Sequence, residues 1–176
     1  MSSITPAVQR AVSNVEDASG GVTGCAAMTV NLALGFYPVS VDVPVAWGDM
    51  DAYGHVNNAM FLRYFETGRM AYFGRSGIDG RMATERIGPI LAQASVSYLR
   101  PVIFPDTLTV ATTVVRLGNT SVIMASRCWS RAQGEIAAKG ESVIVMMNYV
   151  TGSKITVDDA LRARIVALEA SAQDGS

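Results

Sequence analysis

From Val39 to Trp47 the apolar residues occupy alternate positions (Val39, Val41, Val43, Val45, Trp47), the period of a strand with one covered face. Pro44 has no N–H to donate, so this strand is expected at a sheet edge or with an irregularity. The period then changes. Met60, Phe61, Tyr64, Phe65, Gly68 and Tyr72 recur at helical spacing, with Arg63, Glu66 and Arg69 on other faces. Asn57 or Asn58 suits the N-cap of this helix, and Gly74 and Gly77 are its natural stops. Beyond a glycine-containing connection the period returns to two, in runs Ile90–Leu99, Thr107–Leu117, Ser121–Ser130 and Ile136–Tyr149. Turn signals at Pro101–Asp106, Gly118-Asn119 and Gln133-Gly134 separate these runs. The unbroken apolar stretch Val143-Ile144-Val145-Met146-Met147 suits a strand buried on both faces. Thr156, with Asp159 three residues on, has the form of a capping box opening a last helix through about Ala170.

One strand, one long apolar helix, four long strands and a terminal helix make an α+β layout. The helix should lie on the concave face of a curved antiparallel sheet of about five strands. Residues 1–38 differ in composition and read as an N-terminal extension. Thr5-Pro6 could open a short helix toward Glu16, and Ser19-Gly20-Gly21 would break it. The domain proper is expected over 39–170, followed by a tail at 171–176.

Composition narrows the function classes. Of 176 residues, 49% are hydrophobic and 16% charged, enough for a sizeable core and a weakly charged surface of the kind a second subunit covers. The net charge is −1 and no basic block occurs, which argues against nucleic-acid partners. The apolar stretch from Val22 to Phe36 is too short to span a membrane and is interrupted by Asn31 and Gly35. Cys25 and Cys128 follow no metal spacing. Without an export signal at the N-terminus they read as reduced thiols of a cytoplasmic protein.

The chemistry concentrates between the first strand and the long helix, where Asp49, Asp51, the single histidine His55, Asn57 and Asn58 follow one another closely. A helix N-terminus offers unpaired N–H groups that polarise a carbonyl, and a carboxylate beside them can attack that carbonyl or activate water. The plainer reading is equally available here: aspartates before a helix are caps, and a lone histidine is a hydrogen-bonded loop residue. A metal centre would need more ligands than Asp-x-Asp-x-x-x-His supplies. Met146-Met147 reads as core filler. Ser95 and Ser97 stand in a strand without a histidine or lysine to activate them, which disfavours a serine nucleophile.

The string Trp47-Gly48-Asp49-Met50-Asp51-Ala52-Tyr53-Gly54-His55-Val56-Asn57-Asn58, followed by Phe61-Leu62-Arg63-Tyr64-Phe65-Glu66, resembles the 4-hydroxybenzoyl-CoA thioesterase branch of the hotdog superfamily. It is also similar to the related segment of plant acyl-ACP thioesterases. Tyr98-Leu99-Arg100-Pro101, Asp106-Thr107-Leu108, Arg116 to Ser121 and Val143-Ile144-Val145 continue the family pattern, and the resemblance covers roughly 39–170. It implies a hotdog fold, a helix wrapped by the sheet, assembled as a homodimer or homotetramer with active sites at subunit interfaces. The family's catalytic aspartate falls on Asp51. In the acyl-ACP relatives a histidine four residues later also serves, here His55, but their intervening asparagine is replaced by Tyr53. Asp49 is left to hold the loop.

The resemblance implies an acyl-CoA or acyl-carrier-protein thioesterase that needs no cofactor and no metal. The substrate carbonyl would meet the loop around Tyr53, Val56, Asn57 and Asn58. A non-catalytic acyl-CoA-binding module and a hotdog dehydratase or hydratase remain as alternatives.

Overall fold

The computed structural model describes residues 37–172. The helix expected from Thr5-Pro6, and Cys25, lie outside them. Six strands form one antiparallel sheet: β1 (Val39–Pro44), β2 (Ile87–Tyr98), β3 (Thr107–Leu117), β4 (Ser121–Ser130), β5 (Glu135–Asn148) and the two-residue β6 (Ser153–Lys154). Their order is β1-β3-β4-β5-β2, with β6 beside β5. The five long strands and single long helix are the hotdog fold expected from the sequence.

The helix α1 (Asn58–Ser76) starts where Asn57 accepts from the Ala59 N–H at 2.9 Å, and it ends at Gly77, whose φ of +69° suits glycine alone at little cost. It packs close to the sheet. A Cβ on Gly68 would stand 2.7 Å from both Thr112 Oγ1 and Val110 Cγ1, and one on Gly140 of β5 would stand 2.7 Å from the Phe65 ring. These two glycines set the helix-to-sheet distance. A short helix, α2 (Met82–Glu85), occupies the connection that follows. The last helix, α3 (Asp159–Ser171), is capped by Asp158, which accepts from the Leu161 N–H at 2.8 Å, and not by Thr156.

Other expectations need correction. The first strand stops at Pro44, and Trp47–Asp49 is a 3-10 turn in which Trp47 is 77% exposed. In β5 only Ile144 and Met146 of the apolar run are buried, while Val143, Val145 and Met147 are half-buried, so the strand alternates after all. Arg69, placed on an outer face by its charge, is buried at 6% exposure.

The core is in two parts. One cluster gathers Tyr72, Phe73, Val122, Met124, Ile144 and Ile165 under the C-terminal half of α1. The other gathers Phe61, Tyr64, Phe65, Leu108, Val110 and Cys128 under its N-terminal half. Between them runs a band of buried hydroxyls, Thr112, Ser126 and Ser142, with Thr112 Oγ1 and Ser126 Oγ 3.0 Å apart.

At the ends of the sheet, β1 is an edge strand closed by Pro44. Beyond its start, Glu169 of α3 substitutes for it by accepting from the Val114 N–H at 2.8 Å, the Thr113 hydroxyl at 2.5 Å and the Tyr72 hydroxyl at 2.6 Å. At the other edge, the outer side of the twelve-residue β2 has no neighbouring strand among the described residues, and Ile90 and Leu91 are exposed.

Candidate active site

The loop from Ala46 to Asn57 folds by satisfying its own backbone. Asp49 Oδ2 accepts from the Ala46 N–H at 3.0 Å and closes the 3-10 turn. The same oxygen accepts from the Tyr64 hydroxyl at 2.7 Å, and the Asn57 N–H donates to the Asp49 carbonyl at 2.8 Å. Burial, and then the adjoining Asp49 carboxylate, raise the Tyr64 hydroxyl well above the ordinary tyrosine range. It therefore stays a donor. Asp49 joins turn, loop end and helix.

Asp51 sits at a second, tighter turn. Its N–H donates to the His55 carbonyl at 2.7 Å, and the Gly54 N–H returns to the Asp51 carbonyl at 3.1 Å. The turn closes through Gly54 at φ +80°, a conformation that a side chain would strain. Asp51 Oδ1 accepts from the Tyr53 N–H at 2.8 Å and, more weakly, from the His55 N–H at 3.4 Å. Among the described residues nothing donates to Oδ2. The carboxylate is held by one oxygen and offers the other.

The N–H groups around the helix start are not equally available. The Val56 N–H donates to the Val102 carbonyl at 2.8 Å and the Asn57 N–H is taken by Asp49, so neither can receive a substrate oxygen. The Ala59 N–H is taken by the Asn57 side chain. Only the Asn58 N–H, at the positive end of α1, lacks a partner among the described residues. The Asn58 carbonyl accepts from the Tyr98 hydroxyl at 3.0 Å, which ties α1 to the end of β2.

Beside this loop lies a cleft of about 300 Å³, lined by His55, Val56, Asn58, Phe61, Tyr98 and Leu99 to Val102. The structure thus brings His55, Val56 and Asn58 to one cavity. Asp51, Tyr53 and Asn57 do not line it, and Tyr53 is 88% exposed. Three contributors escaped the sequence reading. Tyr64 anchors Asp49, Tyr98 packs edge-to-face on Phe61 with ring centroids 5.4 Å apart, and Val102 holds the loop backbone. Tyr64 could have been found by noting a phenol on the apolar helix stripe about two turns from the loop. No group of three or more histidine, cysteine or acidic residues suited to a metal occurs among the described residues.

A curved antiparallel sheet around one helix, with a carboxylate loop at that helix's N-terminus, defines a hotdog thioester hydrolase. The chain belongs to the thioesterase-like superfamily, whose family model matches residues 45–165. It is 38% identical to a thioesterase of Thermus thermophilus solved in complex with coenzyme A and zinc, over 76% of this chain and 96% of that one, with a TM-score of 0.67. Over 116 residues it is 24% identical to the long-chain acyl-CoA thioesterase FadM of Escherichia coli, covering 66% of this chain and 88% of FadM. The DHNA-CoA thioesterase of Staphylococcus aureus shares the fold, with a TM-score of 0.68 at 17% identity over 78% of this chain and 94% of that one. Among the described residues no helix is long and apolar enough to cross a membrane.

Proposed function

We propose that this protein hydrolyses acyl-CoA thioesters to the free acid and CoA, with Asp51 as the reacting carboxylate. The observation that carries the reading is the one-sided fixing of Asp51, with Oδ1 held by backbone N–H groups and Oδ2 without a donor among the described residues, on the loop that leads into the unpaired Asn58 N–H. The thioester oxygen would meet that N–H, where the helix dipole favours developing negative charge. Asp51 either takes a proton from a water that adds to the carbonyl carbon, or adds to that carbon itself and is released by water afterwards. In both routes the C–S bond breaks, thiolate leaves and is protonated, and the carboxylate is regenerated. His55, exposed on the cleft wall, orients the water. Coenzyme A in place of a carrier protein is supported by the relatives that act on or hold CoA.

A homodimer formed along β2 fits the open edge of that strand. N–H and C=O groups unpaired among the described residues, with exposed Ile90 and Leu91, are a template for a second copy, which would bring the far wall to each cleft. Cys128, a buried free thiol, fits a reducing compartment such as the cytoplasm.

The test is thiol release from short, long and aromatic acyl-CoAs by the wild type and the Asp51→Ala protein. Release that disappears in the variant supports the reading. Acyl-CoA binding without release by the wild type would point to a binding module. A new or lost double bond in the acyl group would point to a dehydratase or hydratase.

A further inference from the structure

Strand β4 is buried on both of its faces. Its inward side chains Val122, Met124 and Cys128 lie in the two clusters under α1. The outward ones are sheltered as well, since Ile123, Arg127 and Trp129 are at most 9% exposed. On β3, Ala111 opposite Arg127 and Thr109 opposite Trp129 are buried on the same outer side. An antiparallel sheet with one solvated face hides every second side chain and wets the others, so a buried outer face has something lying on it.

The described residues supply only part of that cover. Tyr37 lies over Arg127, with the guanidinium carbon 5.4 Å from its ring centre, and packs with Ile136 against Trp129 and Ala111. The Arg131 side chain bridges Thr109 and Asp42 at the near rim. Ile123 stands four residues along β4 from Arg127, about 13 Å away. It belongs to none of the apolar clusters that the described residues form. Its cross-strand neighbours, Arg116 and Val143, stand beside it and not over it. Both long helices pack on the other side of the sheet, α1 through Tyr72 and Phe65 and α3 through Leu161 and Ile165. The shelter is that of a single chain.

The course of the chain points to the missing cover. Tyr37 is the first described residue and sits on this outer face, so the residues before it arrive there. In the sequence just ahead of it Met28, Val30, Leu32, Leu34 and Phe36 alternate with Thr29, Asn31, Ala33 and Gly35. Extended, such a run turns its large apolar side chains to one side and its small and polar ones to the other. Its nine residues span up to about 30 Å, more than the interval from Arg127 to Ile123. The run lies ahead of residues 45–165, the part that the family model matches, and so adds to the family's domain.

We infer that residues 28–36 dock on the outer face of their own sheet through Met28, Val30, Leu32, Leu34 and Phe36, over Ile123 and Trp129, and close that face to a second copy. Uncovered, Ile123, Val143, Val145 and Trp129 form an apolar surface on which another sheet could stack. With the face closed, a second copy finds the sheet only at its borders.

The test uses the full chain with a nitroxide at residue 31, introduced by Asn31→Cys in a Cys25→Ser background. Cys128 is wholly buried and does not take the label. The amide signals of Ile123, Arg127 and Trp129 should be lost in the labelled, isotope-enriched protein and return when the nitroxide is reduced. They should persist when label and isotope are carried by different copies in one mixture. Loss in the mixture places a neighbouring copy's segment on the face, and persistence in both samples leaves the face to another cover; either result overturns the inference. A second measurement dispenses with the label. Trp47→Phe leaves Trp129 as the single tryptophan, and Leu32→Asp with Leu34→Asp added to that protein should raise acrylamide quenching of Trp129 and the mass seen by light scattering. Unchanged quenching overturns the docking, and raised quenching at unchanged mass overturns the closing of the face to a second copy.

Discussion

The hydroxyl of Tyr64 and the carboxylate of Asp49, fifteen residues apart, meet at 2.7 Å and lock the site loop onto the buried helix. Asp49 and Asp51 are two residues apart but hold different things: Asp49 Oδ2 accepts from both the Ala46 N–H and the Tyr64 hydroxyl of the helix, while Asp51 Oδ1 accepts only from N–H groups of its own loop.

Substitution should separate the two carboxylates. Asp51→Asn is expected to lower kcat by ~10²-fold or more at nearly unchanged thermal stability, because its backbone-accepting oxygen is retained. Asp49→Ala should instead destabilise the fold by about 1–3 kcal/mol, since it strands the Tyr64 hydroxyl in the core. Paired turnover assays and thermal melts check this, and equal loss of kcat at equal stability would count against the division.

Tyr64→Phe tests the same link from the other side. Without the phenol the loop loses its tether to α1 but no unpaired group is left in the core, so stability should fall by only about 1 kcal/mol. Turnover should fall more than stability does, because Asp51 hangs from the loop that Tyr64 positions. A crystal structure of the variant with the loop unmoved and kcat intact would refute the positioning role.

The pH dependence follows from two tyrosines. Burial first, and then hydrogen bonds to Asp49 and Glu169 respectively, raise the hydroxyls of Tyr64 and Tyr72 above their unfolded value of about 10. Above that pH the unfolded chain has released protons that the native state still holds. Stability conferred by the two phenols is therefore complete below about pH 10 and declines as the pH rises beyond it. Urea unfolding at pH 8 and at pH 11 should show a loss that shrinks in a Tyr64→Phe, Tyr72→Phe double variant.

Gly68→Ala is expected to destabilise the protein by about 1–3 kcal/mol despite alanine's better helix propensity, because the new methyl overlaps Thr112 and Val110. A neutral or stabilising result in chemical denaturation would mean that α1 can rise off the sheet freely.

Glu169→Ala should cost about 2 kcal/mol or more, since it removes one acceptor from three donors, among them the wholly buried Tyr72. Hydrogen exchange at Val114 would rise before global unfolding if α3 is the element that frees it.

Much of the fold was legible because period-two runs map directly onto strands. β3 and β4 coincide with the period-two runs Thr107–Leu117 and Ser121–Ser130, and the N-cap is Asn57, one of the two asparagines that suit it. β2 begins at Ile87, three residues before the run expected from Ile90, and takes in Gly88 and Pro89, which an edge strand tolerates. Trp47 kept the alternation in sequence but not in space, because Asp49 turns the chain back onto Ala46. Arg69 was misjudged by its type and not by its spacing, for it stands four residues after Phe65 and three before Tyr72, on the buried stripe. The loop's carboxylates were conspicuous, but which N–H groups remained free was not. That depended on Val102 and Tyr64, whose approach to the loop no local pattern encodes.

The two borders of the sheet are unlike, and this limits growth. The β1 border is short, ends in a proline and is continued by a glutamate in place of a strand, so an arriving chain finds little backbone to join. The β2 border is long and, among the described residues, open. Two copies meeting through their open borders would consume both and leave only blunt ones outward. Strand addition through that border would thus terminate at a pair, and a single copy with the border uncovered would be the species prone to stick to other chains.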